Sequence, residues 1–175
     1  MRTRLSSVVI ILVTLLSAFT SCDKCKDDPA DLIAAELAAN KRIAAAVVHA
    51  SAIGLSESLK NIPDSVAGVQ FIRTYIDSIR FYDDKSGYFY VYNYECWSIA
   101  HATQKNLQGT NLYNYQDSRG NYVVRLLSAA AQNGGGFIEF YWIKPGDTGE
   151  KLKIGYVEPI PGTKYFIGSG VYVPE

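Results

Sequence analysis

Methionine and histidine are scarce in this sequence, and neither sign of charge is in excess. One Met and two His occur among 175 residues, and 17 Lys and Arg balance 17 Asp and Glu. A nucleic-acid-binding surface needs an excess of basic residues to displace counterions, so that role is excluded. Three cysteines are too few and too unevenly spaced for a disulfide scaffold. The two histidines have no ligand-spaced partners, so we expect no metal, and no motif indicates a cofactor.

Apolar and aromatic residues, in contrast, are plentiful. Hydrophobic residues make up 48% of the chain and charged residues 19%, a balance that excludes intrinsic disorder as the main state. Thirteen Tyr and seven Phe favour aromatic-rich strands over a helical bundle.

The first residues have the pattern of a targeting segment. Arg2 and Arg4 precede the apolar run 8–16, which is shorter than a membrane span, and the sequence Phe19-Thr20-Ser21-Cys22 follows. This ending resembles the bacterial lipobox, although Phe19 replaces the usual Leu. We therefore predict a lipoprotein signal peptide over 1–21, lipidation with fatty acyl groups such as palmitate at Cys22, and a lipidated tether over 22–29. The predicted location is the cell envelope, lipid-anchored to a membrane and either periplasmic or surface-exposed. An ordinary signal peptide with an incidental cysteine is the alternative.

The first part of the mature chain has the period of helices. Asp28 and Pro29 suit the N-cap and the first turn of a helix of about thirty residues, which Asn61-Ile62-Pro63 ends. Its apolar stripe consists of Leu37, Ala44, Val48, Leu55 and Leu59. A second helix follows, with Val69, Ile72, Ile76 and Ile79 on its buried side.

From residue 81 the period changes to two, which is typical of strands. Tyr88–Tyr94 and Trp97–His101 are predicted to be neighbouring strands, and later strands are predicted over 137–143, 151–157 and 165–173. A short helix, Tyr122–Gln132, separates the two groups. Helices followed by sequential strands indicate one α+β domain with an antiparallel sheet, over 30–175.

Several short segments occur in an order found in a known family. They are Gly87–Tyr92, Ile99–His101, Gly109–Leu112, Asp117–Gly120, Gly136–Trp142, Lys153–Val157 and Gly168–Val173. Together they resemble a single Cache domain, the extracytoplasmic sensor module of bacterial chemoreceptors and histidine kinases. The resemblance covers about residues 30 to 173 and implies a long N-terminal helix packed on a PAS-like antiparallel sheet, with a small-ligand pocket under the covering loops. Phe140, Thr103, Cys96 and the pair Tyr165-Phe166 depart from the usual residues and leave the ligand open.

The resemblance and the residue types together predict a ligand site. Tyrosine offers an apolar ring and a hydroxyl, which suits a pocket for a small polar organic molecule. Lys153 or Arg80 is predicted to neutralise a short carboxylate. The side chains predicted to enclose it and hydrogen-bond to it are Tyr90, Tyr92, His101 and Tyr141. The alternative for each is structural: a packed tyrosine, a structural or exposed histidine, or a solvated surface cation.

Catalytic motifs are missing, so we predict that the protein is not an enzyme. No Gly-x-Ser-x-Gly elbow occurs, and Gly134-Gly135-Gly136 precedes a strand instead of the helix that a phosphate cradle needs. A hydrolase that depends on Cys96 is the weakest alternative, and Cys96 could instead pair with Cys25.

The last predicted strand ends at Val173, and the sequence given then holds Pro174 and Glu175. We therefore expect any signal to pass through a partner, such as a membrane receptor or a kinase, and a homodimer remains open. The rival hypothesis is an interaction lipoprotein with a vestigial pocket, which docks to a membrane receptor or a second copy through the long helix.

Overall fold

The computed structural model describes residues 28–62 and 65–174. Its helices are α1 (Pro29–Leu59), α2 (Ser65–Asp77) and α3 (Val123–Gln132), with a short 3-10 helix at Lys105–Leu107. Its strands are β1 (Tyr90–Asn93), β2 (Ser98–His101), β3 (Gly136–Ile143), β4 (Glu150–Pro159) and β5 (Tyr165–Tyr172). The predicted α+β class with a long N-terminal helix is confirmed. The predicted signal peptide, Cys22, Cys25 and most of the tether lie outside the described residues.

Helix α1 begins where the cap residues predict. The Asp28 carboxylate accepts a hydrogen bond from the backbone N–H of Ala30 at 3.0 Å, and Pro29 occupies the first turn, where its missing N–H costs nothing. Fully buried side chains appear only from Ala44 onward, so the N-terminal half of the helix is largely exposed. In the ranges described, no helix combines the length and the hydropathy that crossing a bilayer requires.

The five strands form one antiparallel sheet in the order β2-β1-β5-β4-β3. Strands β3, β4 and β5 pair with one another in the order in which they follow along the chain, whereas β1 pairs with the last strand, β5. This non-local pairing places the tyrosines of β1 beside the residues of the final strands.

Helices cover the sheet on opposite sides. Helix α1 lies across β4 and β5, and Ser56 in α1 donates a hydrogen bond to the carbonyl of Pro161 at 2.8 Å. Helix α2 packs on β2, where the Arg73 guanidinium donates to the carbonyl of Ile99 at 2.9 Å. Helix α3 covers β3 and β4, and its Val123 and Leu127 face the same space as Lys153 of β4. A central layer of sheet therefore lies between α1 and α3.

Candidate ligand-binding pocket

The register of the sheet gathers the predicted site residues. Lys153 is directly opposite Phe140 on β3 and Tyr172 on β5, and Tyr90 is opposite His101 on β2. Directly opposite residues in an antiparallel ladder have side chains on the same face. Hydrogen bonding between strands therefore brings a lysine, a histidine and several aromatic rings together from distant parts of the chain.

Two glycines let the ring of Tyr90 lie flat against the sheet. A Cβ atom at Gly168 would lie 2.4 Å from a carbon of the Tyr90 ring, and one at Gly155 would lie 2.9 Å from the Tyr90 hydroxyl. That hydroxyl donates to the carbonyl of Ser169 at 3.2 Å. The absence of side chains at these positions allows Tyr90 to reach from β1 across β5 toward Lys153.

A small cavity remains at the centre of this face. The space available to the centre of a water-sized sphere is about 10 Å³, which is room for about one water molecule. Apolar side chains of α3 and β3 close it from one side, and tyrosines and a lysine close it from the other. Its lining is Tyr88, Tyr90, Tyr92, Val123, Leu127, Phe140, Trp142 and Lys153.

Lys153 is fully buried, and its side-chain nitrogen has no hydrogen-bond partner within residues 28–62 and 65–174. The nitrogen Nζ lies 3.9 Å from the ring centroid of Tyr88 and 4.8 Å from that of Tyr172. Ring faces attract a cation, but they do not replace the strong acceptors that an ammonium group has in water. Burial therefore lowers the pKa of Lys153 well below its usual range.

His101 supplies a second buried polar atom without a partner. Its Nδ1 accepts a hydrogen bond from the backbone N–H of Gln104 at 3.0 Å, which assigns the ring proton to Nε2. Nε2 is buried and has no hydrogen-bond partner in the part of the chain that the structure describes. Burial, together with the charges of Lys153 and Arg80, lowers the pKa of His101 to about 3. His101 is therefore a neutral N–H donor, stacked at 6.0 Å on Trp142 and tilted at 5.3 Å from Tyr88.

The tyrosine hydroxyls around Lys153 stay protonated at neutral pH. Burial raises the pKa of Tyr88 to about 12 and raises those of Tyr90 and Tyr92 well above the ordinary value. The hydroxyls of Tyr88 and Tyr172 lie 3.2 Å apart, and Tyr172 donates to the carbonyl of Ile143 at 2.8 Å. These groups can hydrogen-bond to a ligand, but none provides a negative charge for the lysine.

The structure brings four of the six predicted site residues together. Tyr90, Tyr92 and Lys153 line the cavity, and His101 packs against its rings. Arg80 lies one layer away, because its guanidinium donates to backbone carbonyls, including that of Ala102 at 2.9 Å. It fixes the turn next to His101 and adds positive charge there.

Tyr141 is the predicted residue that the structure does not place at the cavity. On β3 the side chains alternate, so Tyr141 lies on the opposite face from Phe140 and Trp142, under the Arg119 guanidinium at 5.0 Å. Phe140 and Trp142 line the cavity instead, and the Trp142 indole donates to the Gln104 side chain at 2.7 Å. The exposed Glu139 is the signal that could have identified this alternation, because it marks the same side as Tyr141.

The site predicted from the sequence also omits four residues at or beside the cavity: Tyr88, Tyr172, Val123 and Leu127. Tyr88 belongs to the alternation that identified Tyr90 and Tyr92, but it precedes the observed strand β1. The α3 residues carry no local signal, because apolar residues on a helix indicate only a buried face.

Cys96 has the environment of a structural residue. It is buried in the turn between β1 and β2 with φ of 65°, and burial raises the pKa of its thiol. A catalytic thiol instead needs a lowered pKa. Among the described residues, no cluster of three or more His, Cys, Asp or Glu could hold a metal ion.

A long helix on one face of an antiparallel sheet and a small closed pocket on the other define a PAS-like sensor domain. A family model described as a Cache domain matches residues 42–175, and the chain belongs to this family. Cache domains are extracytoplasmic sensor domains of chemoreceptors and histidine kinases and are not enzymes, which confirms the non-enzymatic prediction.

Solved sensor domains have the same fold. A methyl-accepting chemotaxis protein from Vibrio parahaemolyticus superposes with a TM-score of 0.70 at 26% identity, over 82% of this chain and 95% of that one. The structure described as "Structural basis for carboxylic acid recognition by a Cache chemosensory domain" superposes with a TM-score of 0.68 at 25% identity, over 84% of this chain and 99% of that one. The sensor histidine kinase MctS of Rhizobium johnstonii is 30% identical over 112 residues, 64% of this chain. The chain spans 24% of the length of that kinase.

Proposed function

We propose that this protein is a lipid-anchored sensor lipoprotein whose Cache domain binds a short carboxylate and acts through a partner, a membrane receptor or a kinase. The observation that carries the proposal is the side-chain nitrogen of Lys153, which is fully buried and has no hydrogen-bond acceptor among the residues that the structure describes. Leaving a buried cation unpaired is costly, and a carboxylate is the group that best offsets this cost.

The lining favours a ligand with one negative charge. Lys153 is the one cation among the lining residues, and no acidic side chain is among them. A dicarboxylate would therefore bury a second charge without a partner, and the ammonium group of an amino acid would lack an acceptor of opposite charge. Val123, Leu127 and Phe140 suit a short apolar tail. One of the similar Cache structures is described as recognising a carboxylic acid, and this supports a carboxylate as the class of ligand.

The size of the cavity limits the ligand further. Room for about one water molecule is less than an acetate ion needs, so binding requires α3 and the neighbouring loop to move outward. Ligands of two or three carbons need the smallest movement. We therefore expect acetate, propionate, lactate or pyruvate to bind more tightly than longer or branched acids.

A thermal-shift screen tests the proposal. Ligands that bind only the native state raise the unfolding temperature, so millimolar acetate, propionate, lactate or pyruvate should raise it, whereas succinate and alanine should not. Lys153→Met should abolish the shift. Lys144→Met is the matched control, because Lys144 pairs with Asp84 at 2.8 Å outside the pocket, and this variant should keep the shift. No shift with any carboxylate, for protein confirmed to be free of a bound ligand, would contradict the proposal.

The lipid anchor is tested separately. Cys22→Ser removes the thiol that would carry the diacylglycerol. We expect the variant to leave the membrane fraction and to lose labelling by radioactive palmitate. Unchanged membrane association and labelling would contradict lipidation at this residue.

The exposed half of α1 favours a second candidate, an interaction protein that docks through this helix. Leu32, Ile33 and Ile43 expose large apolar side chains along it. A protein of this kind would keep partner capture after the double change Tyr90→Phe and Lys153→Ala. A ligand-gated sensor would lose both the ligand shift and the dependence of capture on ligand.

A further inference from the structure

The described side chains around the pocket include no group that can balance a positive charge on Lys153. The titratable or charged side chains around it, from every element that packs against it, are Tyr88, Tyr90, Tyr92, Tyr172, His101 and, beyond His101, Arg80. The contributions of α3 and β3 to the lining are apolar: Val123, Leu127, Phe140 and Trp142. Arg80 is a permanent cation and none of these described neighbours is a carboxylate, so no negative charge stabilises the ammonium form of Lys153.

We propose that the pocket takes up its carboxylate together with one proton, so that occupancy follows both the ligand concentration and the proton concentration. The inference rests on the proposed carboxylate site. In the free protein the Lys153 nitrogen is an uncharged amine, held against the faces of Tyr88 and Tyr172. When a carboxylate enters, the amine gains a proton and becomes the ammonium partner of the ligand. One carboxylate and one proton enter, and no covalent bond changes.

No other group of the pocket can supply that proton. His101 is neutral, and its one ring proton is on Nε2, because Nδ1 accepts from Gln104. The hydroxyl of Tyr172 donates to the carbonyl of Ile143, and burial raises its pKa. Burial lowers the pKa of Lys153 in the free state, and a carboxylate beside it would raise that pKa again. The proton therefore comes from the solvent or arrives with the undissociated acid, which is chemically equivalent.

The proton uptake has a measurable consequence. Between the pKa of Lys153 in the free protein and its higher pKa in the complex, each unit of increase in pH lowers the association constant about tenfold. Below the free-state pKa the association constant is independent of pH until the acid itself takes up its proton. A sensor of this kind responds more strongly to the same carboxylate when its surroundings are acidic.

Calorimetric titration of the full chain with acetate and with propionate tests the inference. The experiment is carried out at pH 7 and pH 8 in phosphate and in Tris, which differ in their heat of ionisation. We expect the difference in heat to give about one proton taken up per ligand bound, and a tenfold weaker association constant at pH 8. Binding with equal heats in the two buffers would overturn the proton uptake and leave the carboxylate site in place. No binding in either buffer would overturn both.

Two further measurements do not depend on the calorimetry. In the free protein, the ¹⁵N shift of the Lys153 side chain should report an uncharged amine at pH 8, and a charged ammonium there would overturn the inference whether or not a ligand binds. Lys153→Arg keeps a permanent charge, because a guanidinium does not release its proton in proteins. Where this variant still binds propionate, it should take up no proton, and an unchanged uptake would contradict the assignment to Lys153.

Discussion

The two faces of the sheet differ in how their buried polar groups are paired. Under α1 the buried Ser56 donates to the carbonyl of Pro161, and the buried Ser51 hydroxyl lies 3.3 Å from that of Tyr75. Under α3 the Lys153 nitrogen and His101 Nε2 have no hydrogen-bond partner among the described residues. Buried polar groups are normally paired, and exceptions concentrate at functional sites. The buried polar groups under α1 are therefore paired within the fold, whereas under α3 two of them leave hydrogen-bonding capacity that the proposed ligand would use.

Truncation of a core residue on the α1 side should have the largest effect on stability. Leu55 is fully buried within α1, and Leu55→Ala leaves a cavity in addition to removing apolar contacts. We expect a loss of about 2 to 5 kcal/mol in the free energy of unfolding, measured with urea. The carboxylate thermal shift should remain, because the pocket lies on the other face. A loss below about 1 kcal/mol would show that α1 contributes little to the fold.

On the other face, Lys153→Met should raise the free energy of unfolding instead of lowering it. Methionine matches the length of lysine and has no charge to desolvate, so we expect a gain of about 3 kcal/mol at pH 7. The folded-state pKa of Lys153 lies below its ordinary value, so the unfolded chain binds a proton that the folded chain does not. Wild-type stability therefore rises with pH between the lowered folded-state pKa and the ordinary pKa of 10.5, and within that interval the gain should shrink by up to about 1.4 kcal/mol per pH unit.

Urea unfolding of both proteins at pH 7, 8 and 9 checks this prediction. Lys144→Met is the control, since Lys144 is partly exposed and paired with Asp84. A destabilised Lys153→Met protein, or a gain that does not depend on pH, would show that the ammonium group is already stabilised in the empty pocket.

His101 gives the α3 face a second dependence on pH, at the acidic end. The folded-state pKa of about 3 lies below the ordinary 6.5, so the unfolded chain takes up a proton first as the pH falls. Stability is therefore lost between pH 6.5 and pH 3. His101→Asn keeps an acceptor for the backbone N–H of Gln104 and does not titrate.

We expect the free energy of unfolding to fall about 2 kcal/mol more in wild type than in His101→Asn when the pH is lowered from 6.5 to 5. Equal pH profiles for the two proteins would show that the imidazole becomes protonated without cost in the folded state.

Much of this fold could be predicted from the sequence because its signals are local. Asp28 and Pro29 start α1, and the alternation of tyrosines around β1 identifies a buried strand face. The period alone predicts strands close to the observed β3, β4 and β5. The strand order, in which β1 pairs with β5, does not follow from any local pattern.

The site was less predictable because its geometry depends on register. Phe140, Tyr141 and Trp142 are all aromatic, so their residue types alone do not show which of them face the cavity, whereas the pairing of Phe140 with Lys153 does. Arg80 is cationic and lies close to the site, but its guanidinium donates hydrogen bonds to the backbone carbonyls of Asp77 and Ala102. Residue type indicated which kinds of side chain a pocket would use, whereas three-dimensional pairing determined which of them line the cavity.

The smallest effect is expected at the rim of the α1 face, where His49 of α1 lies 3.0 Å from the Glu158 carboxylate of β4. The His49 side chain is 67% exposed, and exposed ion pairs contribute little because water screens them. Glu158 also accepts a hydrogen bond from the Tyr156 hydroxyl at 2.7 Å, so its carboxylate keeps a partner when the imidazole is removed. We expect His49→Ala to change the free energy of unfolding by less than about 1 kcal/mol and to leave the carboxylate shift unchanged. A loss of about 2 kcal/mol or more would show that the α1 face also depends on a charged contact, and the contrast with the unpaired Lys153 on the other face would then no longer hold.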